Sequence, residues 1–252
     1  MMSNLVSKPV LTPSIADTDK KATFDTAPNK LSIPAYLQKT YWWAYVHPRA
    51  VRIFEREWLV NLILFGNYAK LRNSALDEIG RQASGRTLQV ACVYGDLTAR
   101  LRERHADDAA LDVIDVLPIQ LQNLQRKLAP DSSVSLFQRD SAALGFSDGY
   151  YDRVLVFFLL HEQPENVRRR TLAEAFRVVK PDGKIIIVDY HRPGRWNPLR
   201  RPLQTLLRRL EPFADDLWQH DLEFYFPPDI KPTSLRKQTF FGGLYQKIVL
   251  TF

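Results

Sequence analysis

The sequence predicts an α/β protein with a mostly parallel, doubly wound sheet that is covered by helices on both faces, and three observations favour that fold. Between residues 86 and 190, apolar strand candidates alternate with helical stretches, a pattern typical of βαβ units. A helical segment rich in aromatic residues precedes them, and residues 238–252 instead carry two β-rich runs around Gly242 and Gly243. With 252 residues, 45% of them hydrophobic, the chain can bury a full core.

The segments before the first strand are predicted in chain order. Residues 1–30 are rich in Ser, Thr, Pro and Lys and are predicted to be a flexible tail. Residues 31–85 have a helical period and are predicted to form an N-terminal helical cap, in which Pro48 starts or breaks a helix.

The remaining residues, 86–252, are predicted to form the α/β domain. The strand candidates are 86–92, 111–116, 133–138, 153–158 and 184–190, and the helical stretches between them are 97–105, 118–128 and 166–180. KPDGK at 180–184 is a turn signal, and Arg168, Arg169 and Arg170 are expected on a solvated helix face. An inserted segment is expected at about 191–236, and the final two runs predict an antiparallel hairpin at one edge of the sheet.

Composition narrows the classes of function. The formal net charge of +7 is compatible with an anionic partner or surface. The single cysteine, Cys92, excludes an intramolecular disulfide and suits a reducing compartment. The N-terminus lacks the apolar core of a secretory signal, and the longest apolar run, 58–65, is far shorter than the ~20 residues that span a bilayer.

The stretch RTLQVACVYGDLT, at 86–98, reads as a buried strand, a turn and the start of a helix, which is where many α/β enzymes hold a nucleotide. Such a turn is expected to have a carboxylate at the end of the strand and several glycines after it. This chain has instead the residues Gln89, Ala91, Val93, Tyr94, the single glycine Gly95, and Asp96.

Polar residues also follow the next two strands. Asp115 ends the second strand at about the interval at which a carboxylate binds ribose hydroxyls, and Asp140 and Ser141 follow the third. Either aspartate alone is equally well explained as a helix cap. Three consecutive strand ends at the spacing of βα units predict a nucleotide-type ligand.

These motifs resemble those of class I S-adenosylmethionine-dependent methyltransferases of the ubiquinone/menaquinone type. The resemblance covers 86–193 and is carried by QVACVYGDLT, IDVLPIQL, RDSAALGFSDGYYDRVLVFFLLHE and FRVVKPDGKIIIVDY. It implies a Rossmann-like methyltransferase fold, with Asp115 and Val116 at the ribose and Asp140 and Ser141 at the adenine. It places the methionine half of the cofactor against Gln89, Ala91, Val93, Tyr94, Gly95 and Asp96.

Nearly the whole chain beyond the tail resembles the rhodoquinone biosynthesis protein family. The resemblance is carried by YLQKTYWWAYVHPRAVRIFEREWLVNLILFGNY, LQVACVYGDLT, FFLLHEQP, VDYHRP and FGGLYQK. It implies conversion of ubiquinone to rhodoquinone, in which an amino group replaces a ring methoxy group. It also implies a requirement for S-adenosylmethionine and a divalent metal, Mn²⁺.

The departures from the methyltransferase pattern suggest a chemical reason. Amino transfer needs the cofactor amine unprotonated, and a neighbouring carboxylate would stabilise its ammonium form. We therefore expect Gln89, Val93 and Tyr94 to expose and neutralise that amine; the alternative is a drifted loop without catalytic meaning. The rival function is a methyltransferase acting on a quinone or phenolic precursor, and a nucleic-acid binder is not expected.

Residues after the fourth and fifth strands are candidates for the quinone side. Carboxylate and imidazole ligands suit Mn²⁺, and the candidate metal ligands are His161, Glu162, Asp189 and His191. Asp189 and His191 project to the same side if the strand continues. The candidate catalytic residues are Tyr94, His161, Tyr190 and His191. The alternatives are a backbone hydrogen bond for His161, a cap or an Arg192 pair for Asp189, and core packing for Tyr190.

A lipid substrate requires contact with a membrane. Residues 197–213 place Leu199, Leu203, Leu206, Leu207 and Leu210 at helical spacing, with Arg200, Arg201, Arg208 and Arg209 available beside them. This make-up is typical of a basic amphipathic helix on an anionic leaflet, although a helix packed on the core shows the same pattern. The aromatic-rich helices at 36–68 form either a groove for the quinone tail or ordinary core. We expect a peripheral protein on the cytoplasmic side of the bacterial inner membrane rather than in a mitochondrial matrix.

Overall fold

A computed structural model of the protein describes residues 24–25, 32–41, 51, 53–129, 133–198 and 200–252. Eight strands form one sheet: β1 (Phe24–Asp25), β2 (Arg86–Val90), β3 (Ala110–Asp115), β4 (Val134–Gln138), β5 (Tyr151–Phe157), β6 (Val179–Tyr190), β7 (Ser234–Phe240) and β8 (Tyr245–Thr251). The helices are α1 (Ala35–Thr40), α2 (Glu57–Ile63), α3 (Tyr68–Ile79), α4 (Leu97–Arg102), α5 (Pro118–Lys127), α6 (Glu165–Val178), α7 (Arg200–Leu210) and α8 (Pro212–Leu217). Short 3₁₀ turns lie at Leu160–Glu162 and Leu222–Tyr225.

The strand order is β1-β4-β3-β2-β5-β6-β8-β7, with parallel pairing from β1 to β6 and antiparallel pairing of β8 with β6 and β7. The predicted mostly parallel sheet and antiparallel C-terminal hairpin are confirmed. The order reverses at β2, whose neighbours are β3 and β5. A crevice therefore opens beyond the carboxyl ends of these strands.

The core explains why the central strands read as continuous apolar runs. Val154–Phe157 in β5 and Ile185–Val188 in β6 are buried, because helices cover both faces of a parallel sheet. The predicted turn at 180–184 lies within β6, where the pairing shifts from Tyr151–Val179 to Arg153–Lys184. The extra residues are accommodated as an irregularity of the strand rather than as a separate loop.

The outer segments differ in part from the expectations. Phe24 and Asp25, inside the predicted flexible tail, pair in parallel with β4. The other residues of the predicted tail lie outside the described residues, as does Pro48 of the predicted cap. In α7 the side chains of Leu203 and Leu207 are buried in the main core. The alternative of an ordinary helix packed on the core therefore describes this face of α7. Leu199 lies outside the described residues. No helix among the described residues has the length and hydropathy needed to cross a bilayer.

Candidate active site

A cavity of about 340 Å³ occupies the crevice beyond β2, β3 and β5. The predicted residues that line it are Ala91, Val93, Tyr94, Asp115, Val116, Asp140, Ser141, His161, Glu162 and Tyr190. Residues from α1 and α2, such as Tyr36 and Ile63, form the opposite wall. The helical cap and the strand ends thus enclose one continuous space.

Asp115 ends β3 at the edge of this cavity. Its carboxylate accepts hydrogen bonds from the backbone N–H groups of Cys92 (2.9 Å) and Leu117 (2.8 Å), which hold it between the first two strand ends. Burial raises the pKa of Asp115 to about 6, although these hydrogen bonds oppose the shift. The remaining lone pairs are available to ribose hydroxyl groups, so the residue fits its predicted role.

Asp140 and Ser141 lie at the next strand end and line the same cavity. The Asp140 side chain accepts a hydrogen bond from the backbone of Ala142 (2.8 Å), and the Ser141 hydroxyl lies 2.9 Å from that of Thr171. Gln163 donates a hydrogen bond to the Ser141 oxygen (3.0 Å). This network fixes the polar pair where the adenine side of a nucleoside would lie.

The loop after β2 is built around two residues with positive φ. Ala91 has φ +75°, a conformation that favours glycine, and Gly95 has φ +90°. A Cβ on Gly95 would lie 2.5 Å from the hydroxyl oxygen of Tyr68, so only glycine fits there. Tyr94 accepts a hydrogen bond from Gln120 (2.9 Å) and stacks on Phe54, which directs its ring along the cavity wall.

Gln89 is fully buried and does not line the cavity, contrary to its prediction as a cofactor contact. Its amide oxygen accepts a hydrogen bond from Thr98 (3.0 Å), and its amide nitrogen donates to the carbonyl of Ala91 (3.0 Å). Because both ends of the amide are engaged inside the protein, Gln89 braces the loop against α4.

Gly95 and Asp96 are also not among the lining residues. Asp96 is bound by Arg72 and Arg100, and although burial opposes this, these hydrogen bonds keep its pKa below the usual range. Glu55 accepts a hydrogen bond from the backbone of Gly95 (3.2 Å) and forms an ion pair with Lys127. Asp96 and Glu55 are therefore each paired with a cation, whereas Asp115 is held by backbone N–H groups.

Three charged side chains, His161, Asp189 and Glu211, form an ion-paired cluster at the cavity wall, which we call the relay. His161 Nδ1 lies 2.8 Å from Asp189 Oδ1, and His161 Nε2 lies 3.1 Å from Glu211 Oε2. Burial opposes protonation, but the two carboxylates outweigh it and raise the pKa of His161 well above its usual range. His161 is therefore an imidazolium at neutral pH, in the wall of the cavity.

The surroundings of the relay position its parts. Asp189 is fully buried and also accepts hydrogen bonds from the backbone of Leu160 (2.8 Å) and Tyr190 (2.7 Å). The Tyr190 ring meets the His161 ring edge to face, with centroids 4.8 Å apart. Burial, reinforced by Glu211, raises the pKa of Tyr190, so it remains a neutral phenol.

Arg168 attaches the inserted segment to this relay. It is completely buried, which corrects the expectation of a solvated face. Its guanidinium donates to the carbonyls of Leu160 (3.0 Å), Gln163 (2.9 Å) and Phe213 (2.9 Å) and to the Asp216 carboxylate (3.1 Å). One side chain thus joins the 3₁₀ turn that carries His161 to α8, which follows Glu211 directly.

His191 does not join the site. Its Nδ1 lies 2.7 Å from the carbonyl of Gly243, and it lines a second cavity together with Trp218 and His220. The expectation that Asp189 and His191 share a side is therefore wrong, because the hairpin tip draws His191 away after β6 ends.

The predicted metal site is not supported by this arrangement. No group of three His, Cys, Asp or Glu residues able to hold a metal ion exists within the described part of the chain. Both His161 nitrogens face carboxylates, and His191 lies elsewhere. The residues present do not fit the predicted Mn²⁺.

Sequence reasoning did not single out Glu211, Gln120 and Glu55, and it placed Arg168 on a solvated face. Glu211 lies in an inserted segment without a motif, Gln120 lies on α5 and Glu55 lies in the turn before α2, so their placement near the crevice is a tertiary feature. The only signal for Arg168 was its helical spacing from the apolar residues Leu172 and Ala175, four and seven positions later.

Comparisons with known proteins agree with this geometry. A methyltransferase domain family matches residues 87–183. The fold is that of the class I S-adenosylmethionine-dependent methyltransferases. Among solved structures of this fold, mitomycin 7-O-methyltransferase MmcR has a TM-score of 0.61 at 15% identity, covering 85% of this chain and 61% of that one. N-methyltransferase NodS of Bradyrhizobium japonicum, in complex with S-adenosyl-L-homocysteine, has a TM-score of 0.53 at 13% identity, covering 81% and 96%.

A curated relative is the ubiquinone/menaquinone biosynthesis C-methyltransferase UbiE of Yersinia enterocolitica. It is 26% identical over 168 residues, which are 66% of this chain and 66% of that protein. The chain thus spans about two thirds of the length of this methyltransferase. The chain is thus similar in sequence to a methyltransferase domain family over residues 87–183 and to a C-methyltransferase named for quinone biosynthesis.

Proposed function

We propose that this protein converts ubiquinone to rhodoquinone by exchanging a ring methoxy group for an amino group, with S-adenosylmethionine as the amino donor. The observation that carries the proposal is the loop after β2, where Gln89 replaces the expected carboxylate and is itself engaged by Thr98 and Ala91. Two carboxylates near this loop, Asp96 and Glu55, are bound by cations, and Asp115 is held by the backbone N–H groups of Cys92 and Leu117. No carboxylate therefore stands at the position of Gln89, where it would stabilise an ammonium group.

Gln89 acts differently from its expected role. The residue does not touch the amine, since it does not line the cavity; its effect is that no carboxylate stands in its place. Asp115, Asp140 and Ser141 line the cavity and retain the binding of the nucleoside.

When bound, S-adenosylmethionine would supply the nitrogen: its amine would bond to the ring carbon that loses its methoxy group as methanol, and the cofactor's own Cα–N bond would then break with loss of a Cβ proton to the nitrogen, which leaves the amino group on the ring and a C=C bond in the amino-acid arm. His161 holds the proton that the leaving methoxy oxygen takes up. Asp189 and Glu211 keep that proton on the imidazole, and Tyr190 packs against the ring to fix its orientation. No step is assigned to a metal.

A second candidate is a C- or O-methyltransferase acting on a quinone or phenolic precursor, and the similarity to UbiE favours it. The two functions share the cofactor and the ring but differ in the fate of the cofactor nitrogen. Methyl transfer leaves that nitrogen on the cofactor, whereas amino exchange moves it to the quinone.

One experiment separates the two functions. The purified protein is incubated with short-tailed ubiquinone and S-adenosylmethionine labelled with ¹⁵N in the amine, with and without Mn²⁺, and the quinones are weighed by mass spectrometry. Amino exchange gives a product lighter than ubiquinone that carries ¹⁵N. A heavier, unlabelled product from ubiquinone or its demethylated precursors would instead establish methyl transfer. We place the enzyme on the cytoplasmic side of the bacterial inner membrane, where its lipid substrate is accessible.

A further inference from the structure

The cavity opens at a surface with unusually exposed apolar residues. In α2, Trp58 is 61% exposed and Leu62 is 65% exposed, and they lie on one face because they are four positions apart. The next residue, Ile63, is also exposed and at the same time lines the cavity. The exposed face of α2 is therefore continuous with the cavity wall.

The hairpin between β7 and β8 extends this surface. Its tip residue Phe241 is exposed and stacks on exposed Phe65, with ring centroids 5.8 Å apart. Nearby, Asn197 donates a hydrogen bond to the carbonyl of Gly242 (2.9 Å), and the preceding Trp196 is 90% exposed. We call the set Trp58, Leu62, Phe65, Trp196 and Phe241 the aromatic rim.

Two residues of the rim lie in strained backbone conformations. Phe65 and Phe241 both have positive φ, +51° and +48°. Bulky side chains rarely adopt this conformation, because it is strained for any residue with a Cβ. Each strained turn presents a partly exposed phenylalanine, and the two rings stack on each other at the rim.

The charges around the rim select its partner. Arg56, Lys70 and Arg195 are exposed beside it, and Arg195 lies 6.0 Å from the Trp196 ring centroid. The whole chain carries a net charge of +7. Aromatic and leucine side chains flanked by Arg and Lys match the headgroup region of an anionic bilayer.

We propose that the aromatic rim docks this protein on an anionic lipid bilayer, with the cavity mouth at Ile63 facing the acyl chains. A quinone then passes from the bilayer into the cavity without crossing water. This assignment moves the membrane contact away from α7, whose Leu203 and Leu207 are already buried. The inference rests on the proposed function only in taking a quinone as the lipid that enters.

The test uses the full chain and vesicles of phosphatidylcholine with or without phosphatidylglycerol, without S-adenosylmethionine. The variant combines Trp58→Ser, Leu62→Ser and Phe65→Asn, since asparagine tolerates positive φ. Matched controls are Leu206→Ser on α7 and Leu235→Ser on β7, which remove exposed leucines elsewhere. Co-sedimentation measures the bound fraction, and circular dichroism confirms that each variant is folded.

We expect the wild type and both controls to bind phosphatidylglycerol vesicles. The triple variant should bind at least about tenfold more weakly, since the loss of one side chain buried in the bilayer already lowers the affinity by nearly tenfold. Equal binding by the triple variant, or equal loss in Leu206→Ser, would overturn the proposal. So would a wild-type dimer in solution that the triple variant converts to monomer while vesicle binding persists, because a second copy would then cover the rim.

A second measurement keeps this inference separate from the proposed function. Turnover of short-tailed ubiquinone in solution should be unchanged in the triple variant, whereas turnover of long-tailed ubiquinone in vesicles should fall about as much as binding does. If mass spectrometry showed methyl transfer instead of amino exchange, the proposed function would fail. The vesicle-binding result would still test whether the rim docks on a bilayer.

Discussion

His161 Nε2 lies 3.1 Å from Oε2 of Glu211, a residue of the inserted segment, while its Nδ1 lies against Asp189 at the end of β6. The inserted segment therefore completes a buried relay that begins on the sheet. Because both partners are carboxylates, the imidazole carries a proton at a pH where an isolated histidine would have lost it. We expect this relation to set the pH range of the proposed reaction.

Glu211→Gln should move the alkaline limb of the pH–rate profile to lower pH by about one unit, because a neutral amide no longer holds the His161 pKa up and one unit corresponds to about 1.4 kcal/mol. The measurement is kcat/KM between pH 5.5 and 10 with short-tailed ubiquinone. The control is Glu165→Gln, which removes an exposed carboxylate paired with Arg169. A uniform loss of activity with an unshifted limb would contradict the role given to Glu211.

The same relay makes a prediction for stability. Since the folded-state pKa of His161 lies above its unfolded value of 6.5, its contribution is fully present below pH 6.5 and is lost as pH rises through the raised pKa. The difference in free energy of unfolding between wild type and Glu211→Gln should therefore be largest at acid pH and shrink at alkaline pH. Urea unfolding at several pH values measures it, and a constant difference would count against a protonated His161.

Cofactor binding should weaken in acid through Asp115. Burial raises the pKa of this carboxyl to about 6, so a falling pH converts it to the neutral acid, a poorer acceptor for ribose hydroxyl groups. Calorimetric titration with S-adenosylhomocysteine should show the Kd rising as pH falls through about 6. Asp115→Asn should bind about tenfold or more weakly at neutral pH and lose this pH dependence.

Asp112→Asn is the matched control for that experiment. Asp112 lies on the same strand but is hydrogen-bonded to the Tyr151 hydroxyl (2.8 Å) and does not line the cavity. Its Kd for S-adenosylhomocysteine should equal that of the wild type. Equal weakening in both variants would mean that strand stability, not contact with the ribose, explains the Asp115 result.

The sequence was sufficient for the parts of the site that lie on strand ends. Asp115, Asp140 and Ser141 follow apolar strands directly, so the topology of a parallel sheet brings them to one edge. Pattern reasoning failed where tertiary contacts decide. Gln89 turns into the protein toward Thr98 on the next helix, and His191 turns toward the hairpin tip 52 residues later, because these partners offer hydrogen bonds there.

The inserted segment shows the same limit. Its leucines have a helical period that fits both a membrane surface and a packed helix, and only burial distinguishes these states. The triple arginine of α6 looks solvated as a pattern, yet Arg168 is enclosed because three carbonyl groups and Asp216 converge on it. Convergence of this kind has no signature in the sequence.

Arg168→Met should destabilise the protein by about 3 kcal/mol or more, because three carbonyl groups lose their charged donor and each buried unsatisfied group costs about 1–3 kcal/mol. It should also lower turnover, since α8 and Glu211 lose their attachment to the 3₁₀ turn. Urea unfolding measures the first effect. Arg170→Met, which changes the exposed arginine two positions along the same helix, should cost less than about 0.5 kcal/mol, and a similar cost for both variants would contradict the clamp.

Ala91→Gly should stabilise the protein. Ala91 has φ +75° in the loop after β2, where a Cβ is strained and glycine is not, so relief of that strain should raise the free energy of unfolding by about 1 kcal/mol. Ala99→Gly in α4 is the control with the opposite sign, because glycine inside a helix costs about 1 kcal/mol. If both variants were destabilised alike, the positive φ at Ala91 would not be a source of strain. The hydrogen bonds of Gln89 and Tyr94 alone would then determine the conformation of the loop.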